Sequence, residues 1–104
     1  MASRCVHLRM PEAQVEQIEA AAREANVDRN AWVVNAIRAV VNHPPETRTE
    51  VPPSRSPLND SIPTRIPNDL LHAVDLVRGP AARSSWIRWA TQHVLSTPKL
   101  DAAL

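Results

Sequence analysis

Two arginines hold matching places in this chain. Arg9 lies in Val6-His7-Leu8-Arg9-Met10-Pro11 and Arg65 in Ile62-Pro63-Thr64-Arg65-Ile66-Pro67, each two residues before a proline. A guanidinium is a planar fork of donors, so a matched pair is a candidate for recognising paired acceptors. A lone strand arginine is ordinarily just solvated; recurrence at one place in two segments lifts these two above that reading. Cys5 and His7 stand beside Arg9 with one residue between them, a spacing a metal could use. Two ligands without a second pair nearby are too few for a closed zinc site, so no metal is expected. Nor does the pattern hold other chemistry. It offers no Ser-His-Asp set, no paired carboxylates and no glycine-rich phosphate loop, Gly79 being the only glycine. The chain does not read as an enzyme, and no cofactor is expected.

The elements that must position these residues are also written twice. In the first copy Val6, Leu8 and Met10 alternate with Cys5, His7 and Arg9, the period of a half-buried strand. A slip of one residue would bury Arg9, so the inward and outward sets are well determined. Pro11 suits the first helical position, with Glu12 and Glu16 near the positive end of the helix dipole. Val15, Ile18, Ala22 and Ala25 form an apolar stripe at helical spacing. Asn26 suits a left-handed cap with Val27 behind it, and Asp28 an N-cap for a second helix. That helix carries Trp32, Val33, Ala36, Ile37, Val40 and Val41 on a broad core stripe.

The second copy is looser. Its outward strand set is Ser61, Pro63 and Arg65, and Thr64 replaces an inward aliphatic residue. Proline is tolerated in a strand where its nitrogen faces away from the ladder or at a bulge. Leu70, Leu71, Val74 and Val77 mark a helix that stops at Gly79-Pro80, and Trp86, Ile87, Ala90, Val94 and Leu95 mark the last one, beginning at Arg83 or Ser84. Trp32 and Trp86 read as equivalent core residues. Trp89 falls off the main stripe, where the first copy has Asn35, and is a candidate for packing on the connection or for a docking patch. His72 and His93 are expected on helix surfaces.

The expected organisation is a first unit over 1–42, a proline-rich linker over 43–60, a second unit over 61–96 and a flexible tail over 97–104. Half of the 10 prolines fall in the linker. Extended at polyproline rise it reaches roughly 55 Å, more than the roughly 21 Å of a helix beside it. Each unit is about forty residues, near the limit below which a chain rarely folds unaided. With a single cysteine no disulfide can help, so two units sharing one core is the natural solution, and the linker permits the pairing within one chain or between two. The lone thiol and the lack of a recognisable signal or apolar span point to the cytoplasm and away from membranes. The formal net charge is only +1, but Arg4 and Arg9 stand before an acidic helix with Glu12, Glu16, Glu19 and Glu24, a basic tip on an acidic body.

Strand, proline, acidic helix, turn, polar cap and aromatic-aliphatic helix together resemble the ribbon-helix-helix family. The residues that carry this are Val6 to Glu12, Val27 to Val33 and Ala36-Ile37-Arg38, then Ile62 to Pro67, Arg83 to Ile87 and Ala90. The resemblance covers nearly all of the chain outside the linker and tail. It implies a mostly α fold with a short two-stranded antiparallel ribbon, a tandem pseudo-dimer in one polypeptide. It also implies that the ribbon enters the major groove of double-stranded DNA. On that expectation Cys5, His7, Arg9, Ser61, Pro63 and Arg65 read base edges, the two arginines facing guanine. Arg4, Arg29, Asn30, Arg83, Ser84 and Ser85 contact phosphates, mostly at helix N-termini. Asp28 complicates that site, because an anionic cap lies close to where a phosphate would sit.

The function this implies is a transcriptional regulator, a repressor above all, in a prokaryote or phage and associated with the nucleoid, whose chains can associate on DNA. The alternatives are an accessory factor of plasmid or phage DNA processing that partners a processing enzyme, and an antitoxin that partners a toxin. The short stretch after Ser96 argues against the antitoxin.

Overall fold

The computed structural model describes residues 3–43, 58 and 60–96. The proline-rich connection, apart from His43, Leu58 and Asp60, and the tail lie outside those residues. Six elements follow in the order β1 (Ser3–Met10), α1 (Glu12–Glu24), α2 (Arg29–Asn42), β2 (Asp60–Pro67), α3 (Asn68–Val77) and α4 (Arg83–Leu95). The protein is mostly helical, with one two-stranded antiparallel sheet made of β1 and β2.

The register pairs Cys5 with Arg65, His7 with Pro63 and Arg9 with Ser61. Leu8 and Met10 from β1 and Ile62, Thr64 and Ile66 from β2 are buried, and the alternate residues are exposed. Val6, opposite the buried Thr64, is half-buried.

The core is a single cluster drawn from all six elements, with Leu8, Ile18, Trp32, Ile37, Ile66, Val74, Trp86 and Ile87 among its members. Helix α4 packs against β1 and α1, whereas α2 packs against β2 and α3; α2 and α4 also pack on each other. Each half therefore buries its second helix partly against the other half. That arrangement lets two segments of about forty residues reach a workable ratio of core to surface.

Local signals place most boundaries. After α1 the chain turns through Asn26 in the left-handed region, φ 59°. Asn26 N–H donates to the Arg23 carbonyl and Val27 N–H to the Ala22 carbonyl, the paired bonds of a Schellman cap. Asp28 then caps α2 by accepting from the Ala31 N–H at 2.7 Å. Two expectations shift, and two buried residues carry no sequence signal. Pro11 is the cap residue, extended at ψ 146°, and α1 begins at Glu12. Ala25, placed on the apolar stripe, is exposed because the helix has already ended there. Gln14 and Thr91 are buried although polar. No helix among the described residues is long and apolar enough to cross a membrane.

Candidate nucleic-acid interface

A two-stranded ribbon has two faces, and the helices cover only one. The other carries Cys5, His7 and Arg9 from β1 and Ser61, Pro63 and Arg65 from β2, all exposed. The register sets Arg65 beside Cys5 at one end and Arg9 beside Ser61 at the other, with His7 and Pro63 between them. The two guanidiniums thus stand at diagonally opposite ends. Arg9 Nη2 donates to the Leu58 carbonyl at 3.3 Å, a long contact that holds the side chain near the start of β2.

The edge of β2 is closed by a side chain. Asn30, in the first turn of α2, donates through Nδ2 to the Arg65 carbonyl at 3.0 Å and accepts through Oδ1 from the Arg65 N–H at 2.7 Å. Both backbone groups of Arg65 therefore point away from β1. In an antiparallel pair the backbone groups of residues two apart share a direction, so the Pro63 nitrogen also faces outward. The proline removes no ladder bond, and β2 runs through it unbroken. The amide of Asn30 acts as a short stretch of a third strand.

The N-terminus of α2 lies at the ribbon edge through Asn30, and α4 packs on β1. At α2, the Asp28 carboxylate is occupied by its cap bond, and Arg29 Nη1 lies 3.3 Å from Glu19 with its side chain 37% exposed. An open cleft of about 350 Å³ sits beside them, lined by Glu19, Ala22, Arg23, Val27, Asp28 and Arg29. At α4 the cap residue is Ala82, which has no side-chain bond to offer. Arg83 forms a two-point pair with Asp75, Nη2 to Oδ2 at 2.6 Å and Nε to Oδ1 at 3.1 Å, and Arg78 Nε donates to Oδ1 at 2.9 Å. Those bonds, Arg83's first and Arg78's second, hold the Asp75 carboxyl down to about 2. The same partner raises the pKa of Arg83.

The residues expected at phosphates are therefore differently placed. Arg29 is part-exposed, Asn30 is committed to β2, Arg83 is committed to Asp75, and Ser84 and Ser85 are half-buried. Arg4 is exposed at the open end of β1, opposite Ile66 and in the inward-facing parity of the strand. Sequence reasoning missed the partners of Asn30 and Arg83, both of which lie far away along the chain or across a turn. Only the Asp75–Arg78 contact, at helical i,i+3 spacing, left a local trace.

Trp89 is half-buried; its ring stacks on His93 at 5.5 Å and tilts against Trp86 at 5.9 Å. Among the described residues, no group of three or more His, Cys, Asp or Glu is placed to hold a metal ion. Comparison with protein-family models, curated proteins and solved structures finds no match for this chain.

Proposed function

We propose that this protein is a sequence-specific binder of double-stranded DNA, a ribbon-helix-helix pseudo-dimer in one polypeptide that represses transcription by occupying promoter DNA in the cytoplasm. The observation that carries the reading is the outward ribbon face: six exposed residues, an arginine at each diagonal end, and no helix over them among the described residues. A major groove about 12 Å wide admits a two-stranded ribbon. Arg9 and Arg65 are four positions apart along the register, about 13 Å, which matches roughly four base pairs at 3.4 Å each.

The face is related to itself at its ends and not at its centre. Arg9 and Arg65 are counterparts, but His7 corresponds to Pro63, which has no donor or acceptor in its side chain. The preferred site is accordingly palindromic at its outer guanines and asymmetric between them. Phosphate contacts fall to Arg29 and to the N–H groups of the α2 and α4 termini, which set position and not sequence. With a net charge of +1, affinity rests on these local groups and falls steeply with salt.

Selection from a random duplex library at physiological salt tests this. Expected is an enriched motif bound about a thousandfold or more above bulk DNA. Equal, salt-sensitive binding to every duplex would replace the regulator with an architectural or processing factor. Absence of binding to any duplex would end the DNA reading. Arg9→Ala should lose discrimination at one outer position, whereas Arg29→Ala should weaken specific and bulk binding alike.

A further inference from the structure

A buried hydrogen bond ties the first half of the chain to the second. Gln14 Nε2 on α1 donates to Thr91 Oγ1 on α4 at 2.8 Å and to the Arg88 carbonyl at 2.9 Å. Gln14 is 6% exposed and Thr91 is fully buried, in a core otherwise almost wholly apolar. The same two places in the other pairing of helices are apolar. Gln14 is the third residue after Pro11, and its counterpart after Pro67 is Leu70; Thr91 is the fifth after Trp86, and its counterpart after Trp32 is Ile37. Leu70 and Ile37 are both buried, and α3 packs on α2 as α1 packs on α4.

We propose that Gln14 and Thr91 make the two halves of the chain choose each other over like halves of a second copy. Two chains can exchange partners, first half with first half and second with second, at no loss in the number of cores formed. In that dimer Gln14 meets Ile37 and Leu70 meets Thr91. Thr91 stays satisfied, because its hydroxyl already donates to the Arg88 carbonyl of its own helix at 2.9 Å. Gln14 loses its hydroxyl partner and faces a bulkier methyl group. One buried hydrogen bond is worth roughly a factor of ten, and a like-half dimer loses two, so the exchange is disfavoured roughly a hundredfold. A polar contact at one core position is an established way to set which helices pair. The outcome is a ribbon that always carries one His7 and one Pro63. The inference stands on packing alone and does not need DNA binding.

The test uses the full chain with C5S and H7C. In a ribbon of two first strands with the register seen here, position 7 of one chain stands opposite position 7 of the other, where His7 now faces Pro63. This is a close, non-hydrogen-bonded pair, with a Cα separation of about 4.5 Å that suits a disulfide. Protein at about 1 mM, near the effective concentration of a short connection, is equilibrated in glutathione buffer. Linked dimer is then measured beside the mass in sedimentation. The C5S/H7C chain should stay monomeric, with linked dimer at about the one-per-cent level that a hundredfold bias leaves. Adding Q14L/T91I, which copies residues already buried at the counterpart places, should raise the dimerisation constant roughly a hundredfold and give linked dimer in comparable amount to monomer. Adding I37T/L70Q instead, which makes both places polar, should do the same. A folded Q14L/T91I chain that remains monomeric and unlinked would overturn the proposal, leaving the connection alone to set the pairing. Abundant linked dimer with Gln14 and Thr91 intact would overturn it as well.

Discussion

The two turns between helices solve one geometric problem with different bonds. After α1, Asn26 supplies the left-handed residue at φ 59°, two backbone bonds close the Schellman cap, and Asp28 caps the next helix. After α3, Gly79 supplies it at φ 61°, the following cap residue is Ala82, and the turn is tied by Asp75 reaching Arg78 and Arg83. Arg78 also donates to the Ala81 carbonyl at 2.6 Å. Backbone and cap bonds dominate the first turn, with the longer, exposed Arg29–Glu19 pair beside them, whereas the shorter ion pairs of Asp75 dominate the second. The consequence reaches the ribbon, since the first turn leaves Asn30 to brace β2 while the second draws Arg83 away toward the body. Two copies of one plan can thus share a core and differ in how rigid, how salt-sensitive and how available to an anion each end is.

Predictions follow from breaking that contrast, the largest first. Trp32→Ala and Trp86→Ala should each lower stability by about 3–5 kcal/mol in urea unfolding, because both rings are buried in one cluster. Both variants should still unfold in a single transition. Two separated transitions would mean that the halves are independent and that the contrast is between domains, not turns.

Asn30→Ala should cost about 1–1.5 kcal/mol, the net worth of its two exposed hydrogen bonds to Arg65, and speed hydrogen exchange at the Arg65 amide. Asn30→Asp keeps the acceptor for that amide and should restore most of its protection. Ser84→Ala, at the matching place in α4, should change stability by less than about 0.5 kcal/mol. Equal effects at the two positions would erase the asymmetry assigned to the strand edges.

Ala82→Asp gives α4 the cap that α2 already has and should add about 1 kcal/mol. On the proposed function it should also weaken DNA binding, by setting an anion where a phosphate docks. Tighter binding would remove the α4 terminus from the interface.

The smallest effect concerns pH. The Asp75 carboxyl is held below its ordinary 3.8, at about 2, so the folded chain gives up that proton more readily than the unfolded one. Its contribution is complete above about pH 4 and is lost as pH falls toward 2. Asp75→Asn should flatten the stability profile across that window and reduce its dependence on salt. An unchanged acid profile would show that the ion pairs do not hold the second turn.

The strands, the left-handed turn at Asn26, the stop of α3 before Gly79-Pro80, the Asp28 cap and most of the core stripe were legible because each rests on a local rule. Alternation of two, spacing near three and a half, and the conformational freedom of Asn and Gly act over a few residues. The outward set of both strands was readable for the same reason. What was missed depends on partners distant in the chain. Gln14 reads as a surface residue of α1 until Thr91 arrives from α4, and Asn30 reads as a free helix-terminal amide until Arg65 is beside it. Trp89 left the stripe only to lie half-buried, stacked on His93.

Composition and periodicity by themselves determined that this chain makes strand, helix, helix twice over, and most of the apolar residues each element turns inward. Tertiary structure alone decided that β1 pairs with β2, that Arg9 and Arg65 stand at opposite corners of one exposed face, and which cations are tied to carboxylates. Local rules act through bonds within a turn or a pleat. The choice among partners is made by burial, where a polar atom must find its acceptor across the core or leave a hydrogen bond unmade.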